Sequence, residues 1–449
     1  MASTNRTEIS WKALSPEQKL ERRLAAWLSP PGIRYATPQA EADYKARVSR
    51  FTDAIQLKQT PDRVPVSGRL GGFAANYCGY TEKDIMYDVD KAIDVATKCT
   101  LDFQFDERIA GSTPSGSVYD ILDYRLYTWP GRGLAADGEL QYNEGEYMKE
   151  DEYDALMDDP TDYFWRTYLP RIMGALEPLE KVPSAAYPTG NLVGVISSYG
   201  LPEVQVAFRK ILEAGRESLN WQQKLTLANR RLEELGFPSL TGGGMHAPFD
   251  DIADMLRGTH GTIRDMFRQP KKLLKAVEWI APRIVRRAVA AARLGSSPLV
   301  FFALHRGADG WMSDEMFKTF YWPSLREVIQ GLIDEGLVPT LFCEGGYNSR
   351  LEAVRDLPKG KTLWYFVYTD MARAKEVLGD VACIMGNVPI VLLQTGTPEQ
   401  TTAYCRQLID VAGKRGGFIL STGGTMGRAG KADNIRAMIQ CAKEYGAYA

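Results

Sequence analysis

Over the second half of the chain, short apolar runs alternate with segments whose apolar residues recur every three or four positions. Residues 298–304, 338–342, 363–367, 381–385 and 417–421 are such runs, with little polar alternation, the pattern of strands buried on both faces of a parallel sheet. Between them lie helix-period segments. Ser313 opens one, with Met316, Phe317, Phe320, Tyr321, Val328, Ile329 and Leu332 on one face. Thr397-Pro398-Glu399-Gln400 opens another, with an N-cap, a proline at the first position and a capping-box glutamine. Three earlier strands are predicted at 63–66, 100–105 and 237–240, followed by Gly- or Ser-rich loops. Eight strands alternating with helices predict a (β/α)8 TIM barrel, with its chemistry at the C-terminal strand ends. A doubly wound open sheet is the alternative, but no strand-G-x-G-x-x-G-helix fingerprint supports it.

Residues 1–60 read as a helical N-terminal extension, with Leu20, Leu24, Trp27 and Leu28 on one helix and Tyr44, Val48, Phe51 and Ile55 on a second, separated by Pro30-Pro31. Residues 61–449 would form the barrel, interrupted at about 111–235 by a helical insertion. That insertion includes an acidic stretch at 144–159 and a helix at 162–176 that Pro170 would kink.

With 45% apolar and 24% charged residues, the composition is that of a globular protein. A formal charge of -2 gives no electrostatic case for nucleic acid or an anionic membrane as partner. No apolar run reaches membrane-spanning length, and the polar stretch 1–10 lacks a signal peptide's apolar core, so the expected location is cytoplasmic. Six cysteines in 449 residues suggest no disulfide framework.

Three residues carry the first candidate chemistry. Glu315 lies in the first turn of the helix opened by Ser313, while Cys343 and Cys383 lie on strand-like runs at what read as equivalent topological positions. One carboxylate and two thiolates make up a catalytic zinc site with an open fourth position. The same residues also read as two buried cysteines and a favourable helix N-terminal charge, and Asp314 or Glu344 can replace Glu315. Further mouth candidates are His246, His305, Glu344 and Asn387, with Asp309, Tyr365 and Tyr368 beside them. His260 falls inside a helical segment and reads as structural.

Several segments resemble a known superfamily: Pro61-Asp62-Arg63-Val64-Pro65-Val66, Ala247-Pro248-Phe249 leading to Leu256-Arg257-Gly258, Gly386-Asn387-Val388-Pro389, Gly396-Thr397-Pro398-Glu399 and Gly416-Gly417-Phe418-Ile419-Leu420. Together they are similar to the uroporphyrinogen decarboxylase superfamily, whose fold is a (β/α)8 barrel. The decarboxylases' Arg-rich loop is absent, since Ser67-Gly68-Arg69-Leu70-Gly71-Gly72-Phe73 stands in its place. The His-x-Cys pair and late Cys of the corrinoid-dependent thiol methyltransferases are absent too: Phe342 and Glu344 occupy the first two positions and Thr422-Gly423 the third.

The chain is more similar to the methyltransferase components of bacterial aromatic O-demethylases, whose zinc pattern is an acid, 27 residues, a Cys, 39 residues and a second Cys. Here 27 residues separate Glu315 from Cys343 and 39 separate Cys343 from Cys383, with Glu in place of the usual Asp. The resemblance implies zinc on Glu315, Cys343 and Cys383. It also implies methyl transfer from an aryl methyl ether to the cob(I)alamin of a separate corrinoid protein, because the chain lacks an Asp-x-His-x-x-Gly cobalamin loop. A zinc-dependent methylcobamide:thiol methyltransferase and a non-catalytic small-molecule-binding barrel are the alternatives.

Overall fold

The computed structural model describes residues 10–109, 114–184 and 192–448. Of the polar N-terminal stretch behind the cytoplasmic expectation, only Ser10 lies within them. Two helices come first. Pro16–Leu28 begins at a Ser15 capping box completed by Gln18, and Pro38–Gln56 begins at Thr37, whose hydroxyl accepts from the Ala40 N–H. Both carry proline in the first turn, where its missing N–H leaves no bond unmade. Their apolar faces, with Leu20, Trp27, Tyr44, Val48, Phe51 and Ile55, pack against Leu299, Val338, Leu363 and Cys383. All four begin their strands, at the N-terminal end, so the helix pair closes the barrel floor. Each side chain as large as Phe51 contributes about 1.5–3 kcal/mol by its burial there. A buried ion cluster ties the pair to the barrel: Asp106 receives Arg50 at 2.7 Å, Arg63 at 2.6 Å and the Val66 N–H at 2.8 Å.

The predicted strand at 100–105 is a correction. Helix Val89–Phe103 runs through most of it, because Val95, Cys99 and Phe103 continue the helical spacing, and Gln104 ends it in the left-handed conformation. The barrel's second position is taken by residues 105–108. The insertion holds a small sheet of strands β1 (Tyr127–Pro130), β2 (Gly133–Leu134) and β3 (Gln141–Tyr142), ordered β2-β1-β3, which the hydrophobic pattern did not announce. The helix expected at 162–176 is broken into short pieces. Pro170 sits inside the piece Leu169–Ile172, after a π-helical turn at Phe164–Tyr168.

Six parallel strands follow in sequential order: β4 (Gly244–His246), β5 (Leu299–Leu304), β6 (Val338–Cys343), β7 (Leu363–Phe366), β8 (Cys383–Val388) and β9 (Phe418–Thr422). Two extended segments complete the ring. Ser67 N–H donates to Leu420 O and Leu420 N–H to Pro65 O, Asp106 N–H donates to Val66 O, and Arg108 N–H to Pro238 O, each at 2.9–3.0 Å. The result is an eight-position (β/α)8 barrel. β8 starts and ends later than the apolar run at 381–385, because it continues through Gly386 and Asn387. Gly386 has φ +125°, and a Cβ there would run into the Phe366 carbonyl, so glycine lets the strand pass its neighbour.

Side chains alternate between the two faces of the barrel wall. Leu299, Val338, Phe342, Leu363, Tyr365, Cys383, Met385 and Ile419 pack with one another inside, with Phe301 beside them. Val300, Phe302, Leu304, Leu341, Cys343, Trp364, Phe366, Ile384 and Val388 point outward to the helices.

Candidate active site

The strand register determines which side chains meet at the mouth. Phe301 pairs with Gly244 and Ala303 with His246, so His246 faces inward, as His305 does two positions beyond Ala303. Counting two from inward-facing Phe342 brings Glu344 to the same wall. The rings of His246 and His305 lie 5.9 Å apart, and His305 Nε2 is 3.6 Å from the Glu344 carboxylate. Of the mouth residues expected from sequence, His246, His305 and Glu344 therefore form one cluster. Asn387 stands on the far wall and donates its amide N–H groups to Thr369 O and Val367 O, so it holds the loop after β7 in place.

The carboxylates around this cluster come from the start of the helix after β4. It opens at Pro248 and widens into a π-helical turn over Asp251–Arg257. Asp251 bonds His246 Nδ1 at 3.0 Å, and Asp254 bonds His305 Nδ1 at 2.6 Å and Arg306 Nε at 2.9 Å. Fully buried Asp250 accepts the backbone N–H groups of His305 and Arg306 and the hydroxyl of Tyr321 at 2.7 Å. Burial opposes charge on His305, but the hydrogen bond to Asp254 and the charges of Asp250, Asp254 and Glu344 prevail and push its pKa up to about 9. The hydrogen bond to Asp251 likewise raises His246. Burial, together with the charge of Asp254, pushes the Asp250 carboxyl above its usual range. His305 is thus an imidazolium at neutral pH, with Nδ1–H held by Asp254 and Nε2–H directed toward the mouth.

Sequence reasoning named Tyr365 as a mouth residue but missed Arg69 and Glu107. The Arg69 guanidinium lies over Phe301 and Phe342, 4.9 and 5.0 Å from their ring centres. Glu107 is hydrogen-bonded to Ser67, and burial raises its pKa to about 7. Tyr365 packs 4.7 Å from Phe342 and donates its hydroxyl to Thr422 O at 2.6 Å. An aromatic base under a polar rim fits a small planar substrate.

The expected zinc set does not assemble. Cys343 pairs with Phe366 and Tyr365 with Met385, which puts Cys343 level with Gly386 and three residues above Cys383. Three residues are about 10 Å along a strand, and an odd offset puts the two side chains on opposite faces, whereas thiolates sharing a zinc must lie within about 4 Å of each other. Cys343 packs outward and Cys383 lies on the barrel floor. Burial pushes both thiols up, away from the thiolate form that metals bind. Glu315 is exposed on its helix turn, and Asp314 is bound to Arg350 and Ser349. Among the described residues, no group of three or more His, Cys, Asp or Glu side chains is placed to hold a metal ion.

Residues 223–445, which span six of the eight barrel positions, match the family model described as Uroporphyrinogen decarboxylase (URO-D). Over those residues the barrel is of the uroporphyrinogen decarboxylase type. Among solved structures it is similar to a methyltransferase from Methanosarcina mazei, with a TM-score of 0.58 and 14% identity over 89% of this chain and 98% of that one. No curated protein matches the chain. No described helix is long and apolar enough to cross a membrane. In this uroporphyrinogen-decarboxylase-type barrel, the assembled chemistry at the mouth is acid–base, contributed by the strands at positions three to five.

Proposed function

We propose that the protein transfers the methyl group of an aryl methyl ether to the reduced corrinoid of a separate protein, with His305 as the acid that protonates the departing oxygen. The observation that carries this reading is the placement of His305, with Nδ1 on Asp254 and Nε2 at the mouth beside Glu344 and near His246. The similarity to a methyltransferase structure supports it, as does the aromatic base formed by Phe301, Phe342 and Tyr365.

The chemistry needs help at oxygen. A phenolate, whose conjugate acid has a pKa of about 10, leaves an unstrained ether poorly. As the methyl–oxygen bond breaks, its electron pair stays on oxygen, and the proton from His305 Nε2 converts the leaving group to a neutral phenol. The corrinoid, carried by its own protein, supplies the electron pair for the new carbon–cobalt bond. Asp254 keeps His305 charged and oriented until that moment, and Arg69 lies over the aromatic base formed by Phe301 and Phe342. The cysteines and Glu315 take no part in these steps. A proton donor of this kind contributes roughly 10²- to 10⁴-fold in rate.

The test is methyl–cobalt formation, followed spectroscopically with guaiacol, veratrole and vanillate as donors and a reduced corrinoid protein as acceptor. Transfer from at least one methoxyarene, lost in His305→Gln, is expected. Transfer only from methanol, a methylamine or a methylated thiol would overturn the donor class.

A further inference from the structure

Within the insertion, Leu176, Leu179, Val182, Val204 and Ala207 form a small core of their own, separate from that of the barrel. A cavity of about 370 Å³ opens onto it, lined by Leu179, Val182, Pro183, Phe208, Trp165 and Tyr199 on its apolar side. Trp165 and Tyr199 are 41% and 39% exposed, although both are large aromatic side chains with buried apolar neighbours beside them. Tyr199 stacks on Phe208 with ring centres 5.8 Å apart, which presents a flat aromatic wall.

The polar residues of the lining restrict what can enter. The two ends of the Arg166 guanidinium are taken by Asp162 at 2.6 and 2.8 Å, and its remaining nitrogen donates to Val182 O at 3.3 Å. Asp159 caps the helix start by accepting the Asp162 N–H. One arginine against two aspartates leaves a net negative charge at the rim, which disfavours a carboxylate or phosphate. Thr161 adds a hydroxyl to the lining.

From these observations we infer a second ligand site, distinct from the barrel mouth, that binds a neutral single-ring aromatic molecule between Trp165, Tyr199 and Phe208. The volume exceeds that of a cavity of about 150 Å³, which suffices for benzene. Stacking on aromatic faces and contact with Leu179 and Val182 supply the affinity. The site is joined to the mouth through Trp165's own π-helical turn: Tyr168, in that turn, donates its hydroxyl at 2.7 Å to Met255 O, next to Asp254.

The test uses the full chain labelled with 5-fluorotryptophan and phenol as the probe. The ¹⁹F resonance of Trp165, assigned by its loss in Trp165→Phe, shifts saturably with phenol and stays still with benzoate. Tyr199→Ala, at an exposed position that leaves the fold intact, weakens the response at least tenfold. A Trp165 resonance that phenol does not move, an equal response to benzoate, or an unchanged affinity in Tyr199→Ala overturns the inference.

Discussion

Two pairs of residues with metal- or proton-handling chemistry lie on the barrel strands, and only one of them is assembled. His246 pairs with Ala303, two residues below His305, so the even offset puts both imidazoles on the inner face at the mouth. Cys343 and Cys383 differ in level by three, and the odd offset sends one outward to the helices and the other to the floor. Spacing along the chain measures neither level nor face. Strand register supplies both, and a shift of a few residues in where β8 begins separates a plausible ligand set from two buried packing cysteines.

This contrast is broken most severely at the histidines. His305→Gln is expected to lower the rate of methyl transfer roughly 10²- to 10⁴-fold while leaving the thermal midpoint within a few degrees. Asp254→Asn removes the group that holds His305 charged, and it should cost roughly 10- to 100-fold at neutral pH and more as the pH rises. At the cysteines the effect should be on stability. Cys383→Ser puts a hydroxyl among Trp27, Phe51 and Leu363, and denaturant unfolding should show a loss of about 1–3 kcal/mol with turnover per folded molecule unchanged. Glu315→Gln, on an exposed turn, should change neither activity nor stability beyond about 0.5 kcal/mol. A collapse of turnover in folded Cys343→Ser or Glu315→Gln would reverse the ranking.

The apolar runs at 298–304, 338–342, 363–367 and 417–421 were legible because strands buried on both faces leave continuous hydrophobic stretches. The run at 381–385 misled because β8 continues through Gly386 and Asn387, which resemble a turn but serve a close strand crossing. The segment at 100–105 misled because apolar residues of helical spacing lie next to a short strand. His305 could be found because it follows an apolar run at a strand end, whereas His246 ends β4 at 244–246, beyond the strand expected at 237–240, which is not one. Their partners Asp250, Asp251 and Asp254 could not, since a π-helical turn changes which residues share a face, and no local pattern marks that widening. Arg69 and Glu107 were hidden for a related reason: each belongs to a short extended segment that becomes a barrel strand only by pairing with distant residues.

The raised pKa of His305 also bears on stability. Its folded value of about 9 lies above the ordinary 6.5, so the contact with Asp254 stabilises fully below pH 6.5 and its contribution is lost as pH rises through 9. Under the proposed mechanism, activity is expected to follow the same group. The decisive measurement is the pH dependence of methyl–cobalt formation from a methoxyarene, for the wild type and Asp254→Asn, with the reduced corrinoid protein saturating. The expected rate is level near neutrality, falls above pH 9, and in Asp254→Asn begins to fall at lower pH. A profile that stays flat through pH 10, or a falling limb that Asp254→Asn does not move, would contradict His305 as the proton donor.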